Sequence, residues 1–127
     1  MKYNEELKAD VALDPFTVHD VQLKLPGIKH KWIGSLMRHK VTMFELQSEK
    51  KSTRKELIEK VIAESPVRLT QASAGALVDD HEVMENMETK IREHKIAIEF
   101  LEKIERVLNS MTFDIKNLTE IMKLELQ

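Results

Sequence analysis

The residues of this chain best suited to chemistry are the cations of one segment. Between Gln22 and Lys60, ten basic residues stand against four acidic ones, which gives this segment a charge of +6 in a chain of formal net charge −2. The remaining residues together therefore carry −8. A basic segment in a near-neutral protein favours local binding of a polyanion.

The densest part of this segment is residues 47–56, which contain no apolar side chain. On a helix, the glutamates of this run fall on the side opposite the apolar stripe. Four cations fall on the same side as the stripe: Lys50, Lys51, Arg54 and Lys55. A solvated helix more often alternates opposite charges one turn apart. The segregated charges predict a phosphate-binding surface, with the helix facing a groove, a channel or a ring interior. An ordinary solvated face is the alternative.

A second basic cluster surrounds the only tryptophan, Trp32. This side chain suits stacking on a nucleic-acid base, as in single-strand binders, but its place on the apolar arc favours a core position. Both interpretations stay open. The predicted nucleic-acid-binding residues are Lys29, Lys31, Trp32, Arg38, Lys40, Lys50, Lys51, Arg54 and Lys55.

Signals of catalysis are absent from the sequence. It has no Gly-rich phosphate loop, no GxSxG and no HExxH motif. It has no cysteine, and its five histidines show no spacing of four residues. His94 is more typical of a hydrogen-bonded core residue than of a ligand. We therefore expect no enzyme, no metal site and no cofactor.

The elements that must position the cations are helices. A short helix is expected from Asn4 to Lys8, followed by an extended or irregular stretch at residues 17–25. Pro26 suits the first turn of a helix, so a long basic helix is predicted from there to Glu64. Residues 65–78 are the predicted connector, because Ser65-Pro66 ends the helix and residues 70–76 are small, polar and flexible in character.

The last third of the chain predicts one long helix from Asp79 to the C-terminus, because Asp79 and Glu82 form a capping box. Its apolar residues are spaced by three and four, with one stammer, as in a coiled coil. We expect this seam to join copies in an oligomer larger than a dimer, since a second apolar row lies beside it. An intramolecular helical hairpin is the alternative. The predicted contact residues are Met87, Ile91, His94, Ile98, Leu101, Ile104, Leu108, Met111, Ile115, Leu118 and Met122.

The predicted fold class is therefore all-α, an elongated antiparallel hairpin of long helices with a short N-terminal helical or irregular segment, assembling into an oligomer larger than a dimer. Three parts are expected: residues 1–64 for DNA binding, 65–78 as linker and 79–127 for oligomerisation. No signal peptide and no apolar run long enough to span a membrane is visible, which favours a soluble intracellular protein.

Short matches along nearly the whole chain are similar to a known family. They are Glu6-Leu7, Asp10-Val11, Leu13-Asp14, Lys31-Trp32-Ile33 and Phe113-Asp114-Ile115-Lys116-Asn117. In their order along the chain, together with the basic helix and the long C-terminal helix, these matches resemble the UvsY family, the recombination mediators of T4-like phages. The family's Lys-Ala-Arg-Leu box falls at Lys55-Glu56-Leu57-Ile58, where only Lys55 matches; the preceding turn of cations would supply the charge.

The resemblance implies a helical ring, a hexamer or heptamer, that binds single-stranded DNA in the cytoplasm of the infected host cell. It implies loading of a RecA-like recombinase, UvsX-like, onto strands covered by single-strand-binding protein, without hydrolysis. A helical scaffold or adaptor protein that uses its coiled-coil seam is the alternative function.

Overall fold

The computed structural model describes residues 2–12 and 18–126, and within these ranges every regular element is a helix. The four helices are α1 (Lys2–Val11), α2 (Val18–Glu64), α3 (Gln71–Asp79) and α4 (Glu82–Glu125). The predicted all-α class is confirmed. Across the described ranges, none of the helices has the apolar length that a membrane span requires.

Helix α2 begins eight residues before Pro26, at Val18. Val18 and Leu25 are buried and Val21 is half-buried, a spacing of three and four that suits a helix. Burying two such side chains contributes about 1.5–3 kcal/mol each, which offsets the roughly 3 kcal/mol that an interior proline costs. The predicted irregular stretch at 17–25 is therefore wrong over residues 18–25, and residue 17 lies outside the described residues. The predicted helix start at Pro26 is also wrong.

The predicted flexible connector, residues 65–78, contains most of α3, so this prediction is wrong over residues 71–78. The Thr70 hydroxyl caps the helix by accepting a hydrogen bond from the Ser73 amide at 3.1 Å. Ala74 and Val78 are buried in a cluster with Ile58 of α2 and Met84 of α4. Small residues allow this close packing. They also give the sequence a weak apolar pattern, from which the helix was not predicted. Asp79 ends α3, and α4 begins at Glu82.

The chain divides into two compact units. Unit 1 comprises Met1–Met37 and Glu99–Gln127, and unit 2 comprises Arg38–Ile98. Each contains one stretch of α2 and one of α4. In unit 2, His39 contacts His94 and Lys50 contacts Glu88, so residue numbers rise along α2 as they fall along α4. The two helices are antiparallel there, as the hairpin prediction requires.

The core of unit 1 joins all three of its helical segments. Trp32 and Leu36 of α2 are buried, as are Leu101, Ile104 and Leu108 of α4. Tyr3 of α1 lies edge-on to Trp32, with ring centroids 5.5 Å apart, and stacks on Phe100 of α4 at 6.2 Å. Aromatic pairs in these geometries add to the stabilisation from burial.

The α4 seam is buried largely inside the single chain. Met122 is 37 % exposed, and His94 and Leu118 are half-buried, whereas the other predicted contact residues are buried: Met87, Ile91, Ile98, Leu101, Ile104, Leu108, Met111 and Ile115. This burial is what the intramolecular alternative requires. A contact between copies through the seam stays a prediction.

In unit 2, a pair of histidines links α2 and α4. The Nδ1 atoms of His39 and His94 lie 3.0 Å apart in a part-buried contact, so one nitrogen must donate and the other accept. The pKa of His39 is lowered from its ordinary value of 6.5 by burial, then by the charges of His94 and Arg38. Protonation of His39 is therefore less favourable in the folded chain than in the unfolded one.

We expect Leu108→Ala to lower the free energy of unfolding by about 2–5 kcal/mol, because it leaves a cavity in the core of unit 1. Val107→Ala is the matched control: Val107 is 44 % exposed, so its loss should change stability by about 0.5 kcal/mol or less. Urea unfolding at one fixed protein concentration measures both. Equal losses in the two variants would contradict the assignment of this seam to the core.

We expect the stability of the chain to fall as the pH drops below 6.5, the ordinary pKa of a histidine. Below this pH the unfolded chain binds a proton at His39 more readily than the folded chain, because the pKa of His39 is lower in the folded state. Well above this pH the group is neutral in both states. Unfolding curves from about pH 7 to about pH 5 measure the slope. His39→Asn should flatten it and His30→Asn, at an exposed position, should not; an unchanged slope in His39→Asn would contradict this account.

Candidate nucleic-acid interface

The predicted cations in unit 1 are engaged within the unit. Lys31 forms ion pairs with Asp10 at 2.6 Å and with Glu6 at 2.7 Å, both on α1. Burial works to lower the pKa of Lys31, but hydrogen bonds to these two carboxylates outweigh it and raise the pKa. Lys29 is half-buried and donates to the Thr112 hydroxyl at 2.6 Å. A phosphate would have to compete with these partners.

Trp32 belongs to the core, which corrects its place among the predicted DNA-binding residues. The side chain is 2 % exposed, and its Nε1 donates to Oδ2 of Asp10 at 2.7 Å. Its ring has no free face for a base, because α1 covers it through Tyr3. The same carboxylate therefore fixes Lys31 and Trp32, and its role is to hold α1 on α2.

In unit 2, the four clustered cations of α2 separate into two rows. The inner row consists of Lys50 and Arg54, and both side chains meet acids from other helices. Lys50 pairs with Glu88 of α4. Arg54 donates from Nε to Oδ1 of Asp79 at 2.9 Å and from Nη2 to Oδ2 at 3.4 Å. The hydrogen bond to Asp79 raises the pKa of Arg54, and the same bond lowers the pKa of Asp79.

Gly75 makes room for the side chain of Arg54. A Cβ atom at this buried position of α3 would lie 2.8 Å from Nη2 of Arg54. Gly75 and Asp79 are one turn apart on the same face of α3, so the guanidinium passes over the glycine and reaches the carboxylate. A glycine inside a helix costs about 1 kcal/mol relative to alanine, and here it allows this contact.

The outer row consists of Lys51 and Lys55, which lie one turn apart on α2. Both side chains are exposed. Within residues 2–12 and 18–126, neither has a hydrogen-bond or ion-pair partner among the side chains. The outer row is therefore available to anions from solution. Arg38 and Lys40 also lie at exposed positions of α2 in this unit.

Apolar packing of α2 weakens at the level of these rows. From Met37 to Leu57 no side chain of α2 is fully buried, whereas Leu36 and Ile58 on either side are. A cavity of about 300 Å³ opens at this level and is lined by Gln47, Lys50, Glu88, Ile91, Arg92 and Lys95. The expectation that α2 faces a groove, a channel or a ring interior at this level stays a prediction.

Two cations of this cavity, Arg92 and Lys95 of α4, were missing from the predicted set. They lie outside the basic segment, in a part of the chain whose net charge is negative. Their signal was the spacing of Glu88, Arg92 and Lys95, which places all three on one face of α4. In the described part of the chain, no cluster of three or more His, Asp or Glu side chains is placed to hold a metal ion.

The chain matches a family model described as recombination, repair and ssDNA binding protein UvsY over residues 6–126. Its structure is similar to crystal structures of the bacteriophage T4 recombination mediator protein UvsY. One has a TM-score of 0.81 at 19% identity and covers 98% of this chain and 96% of its own. Another crystal form has a TM-score of 0.82 at 18% identity and covers 99% and 96%. At this identity the likeness shows the fold alone. No curated protein matches the chain in sequence.

We expect Asp10→Ala to expose Trp32 and to lower the free energy of unfolding by about 1–3 kcal/mol, because a buried N–H loses its acceptor. The chain has one tryptophan, so a red shift of its emission and stronger quenching by acrylamide report on this residue directly. Asp20→Ala, at an exposed position of α2, should leave the emission unchanged. Strong quenching of Trp32 by acrylamide in the unchanged chain would contradict its core position.

Proposed function

Because the chain belongs to the UvsY family of recombination, repair and single-stranded-DNA-binding proteins, we propose that it is a recombination mediator. It binds single-stranded DNA and loads a RecA-like recombinase, UvsX-like, onto strands covered by single-strand-binding protein in the host cytoplasm. The observation that carries the proposal is the outer row: Lys51 and Lys55 are exposed and unpartnered within the described chain, on a helix whose other face packs against α3 and α4.

Strand binding follows from phosphate neutralisation. Lysines one turn apart on a helix can each meet a phosphate and release its counterions. Ser52, exposed between them in sequence, adds a hydroxyl donor. Such contacts read no base, so the binding is independent of sequence. It suits a protein that must act anywhere along a strand.

Repetition of this weak site accounts for tight binding. In the proposed homo-oligomer, a hexamer or heptamer, several outer rows meet one strand, and avidity exceeds the affinity of any single row. Large apolar side chains that one chain leaves exposed, such as Phe44 at 68% and Phe113 at 69%, supply surface for contacts between copies. The bound and extended strand then loses part of its contact with the competing single-strand-binding protein and is presented to the recombinase.

The proposal is tested by fluorescence anisotropy of a labelled single-stranded oligonucleotide across a salt series, with duplex DNA and heparin as competitors. Salt-dependent binding that duplex DNA displaces poorly is expected. Absence of binding at low salt, in a sample shown to be oligomeric by light scattering, would contradict the proposal and favour a helical scaffold or adaptor protein. Displacement by heparin and duplex DNA alike would indicate a generic polyanion site.

We expect the double variant Lys51→Gln/Lys55→Gln to bind single-stranded DNA more weakly. Its plot of log K against log salt should be shallower by about 1.4 per protomer, because two phosphate contacts are lost at about 0.7 each. Lys90→Gln/Lys103→Gln removes the same charge from exposed positions of α4 and should bind like the unchanged chain. Equal weakening of the two variants, at an unchanged mass by light scattering, would show a net-charge effect and contradict the assignment.

A further inference from the structure

The cavity beside the inner row of unit 2 brings together cations from two helices. This cavity has a volume of about 300 Å³, and its lining includes Lys50 of α2 and Arg92 and Lys95 of α4. Gln47 adds an amide, and Glu88 is the one acid of the lining. Within this lining, three cations surround a single carboxylate. The adjoining cavity shares Lys50, Glu88 and Arg92 and adds Glu85 and Asp79, of which Asp79 is already paired with Arg54.

The carboxylate of Glu88 is the anion that this site now holds. It accepts a hydrogen bond from Lys50. That bond and the charges of Lys50, Arg92 and Lys95 lower the pKa of Glu88, so the group is ionised at neutral pH. Glu88 thus shows where a negative charge is stabilised between α2 and α4.

We propose that Lys50, Arg92 and Lys95 form a phosphate site that bridges α2 and α4, and that the carboxylate of Glu88 occupies this site until a phosphate replaces it. The inference rests on the proposed function and deepens it, because it names a second contact for the DNA backbone beside the outer row. The ligand chemistry is a phosphate group, from the backbone of single-stranded DNA or free in solution.

The exchange is feasible because the internal contact is solvated. The side chain of Lys50 is 32% exposed and that of Glu88 is 45% exposed. Ion pairs open to water contribute little to stability. A phosphate offers more acceptor oxygens than a carboxylate, and the guanidinium of Arg92 can bind two of them at once. The phosphate therefore gains contacts that Glu88 does not make.

The occupying carboxylate weakens binding of the strand, because a phosphate must displace it. Glu88→Gln keeps the shape of the side chain and removes its charge. We expect this variant to bind single-stranded DNA roughly 1.5- to 5-fold more tightly. Glu93→Gln, at an exposed position of the same helix, is the matched control and should bind like the unchanged chain.

Arg92→Gln provides the opposite test, with Lys90→Gln as its control. Both variants lose one positive charge from exposed positions of α4 two residues apart, but Lys90 points away from the cavity lining on the helical wheel. We expect Arg92→Gln to weaken strand binding roughly 3- to 10-fold and to reduce the salt slope by about 0.7 per protomer. Lys90→Gln should change neither.

A second arm identifies the source of the phosphate and separates this inference from the proposed function. Inorganic pyrophosphate should raise the thermal unfolding midpoint of Glu88→Gln more than that of Arg92→Gln if the site also accepts a free phosphate. If the unchanged chain binds no strand, the proposed function fails, and this arm alone decides whether the phosphate site exists. If Arg92→Gln matches Lys90→Gln in both arms, the site is overturned while strand binding through the outer row stands.

Discussion

A cation on a helix face that packs against other helices must be paired or reach water, because burying it alone is too costly. Lys50 and Arg54 lie on such a face of α2. Lys50 pairs with Glu88 of α4, and Arg54 pairs with Asp79 of α3. Gly75 leaves room for the side chain of Arg54, and a cavity of about 300 Å³ opens beside Lys50 and Glu88. The outer row, Lys51 and Lys55, has no acid partner within the described residues and stays exposed.

The apolar periodicity of the sequence predicts the two long helices, because many residues repeat the same helical spacing. It fails where few residues carry the pattern. At 18–26, Pro26 and the four apolar residues before it gave conflicting signals, and the burial of Val18 and Leu25 favours a helix. In α3 the buried residues are alanine, glycine and valine, whose small side chains give a weak pattern although they pack closely. The oligomer seam and an intramolecular core have the same periodicity, so sequence alone could not separate them.

The side of α2 on which each cation of the candidate site lies could be predicted from the sequence. The helical wheel separates Lys50 and Arg54 from Lys51 and Lys55, and the structure gives acid partners to the first pair. The helical wheel could not show which acids these are, because Asp79 is 25 residues from Arg54 and Glu88 is 38 residues from Lys50 in the chain. The same holds for Trp32, whose acceptor, Asp10, is 22 residues away. Long-range contacts of this kind decide which cations remain available to DNA.

The most direct test of this account is lysine-specific chemical footprinting, read by mass spectrometry, with and without a saturating single-stranded oligonucleotide. It reports on each lysine separately in one sample. The account predicts that DNA protects Lys51 and Lys55 and leaves Lys90 unchanged. Protection of Lys90 with no change at Lys51 and Lys55, from a sample that binds the strand, would contradict the central claim that the outer row of α2 meets the DNA.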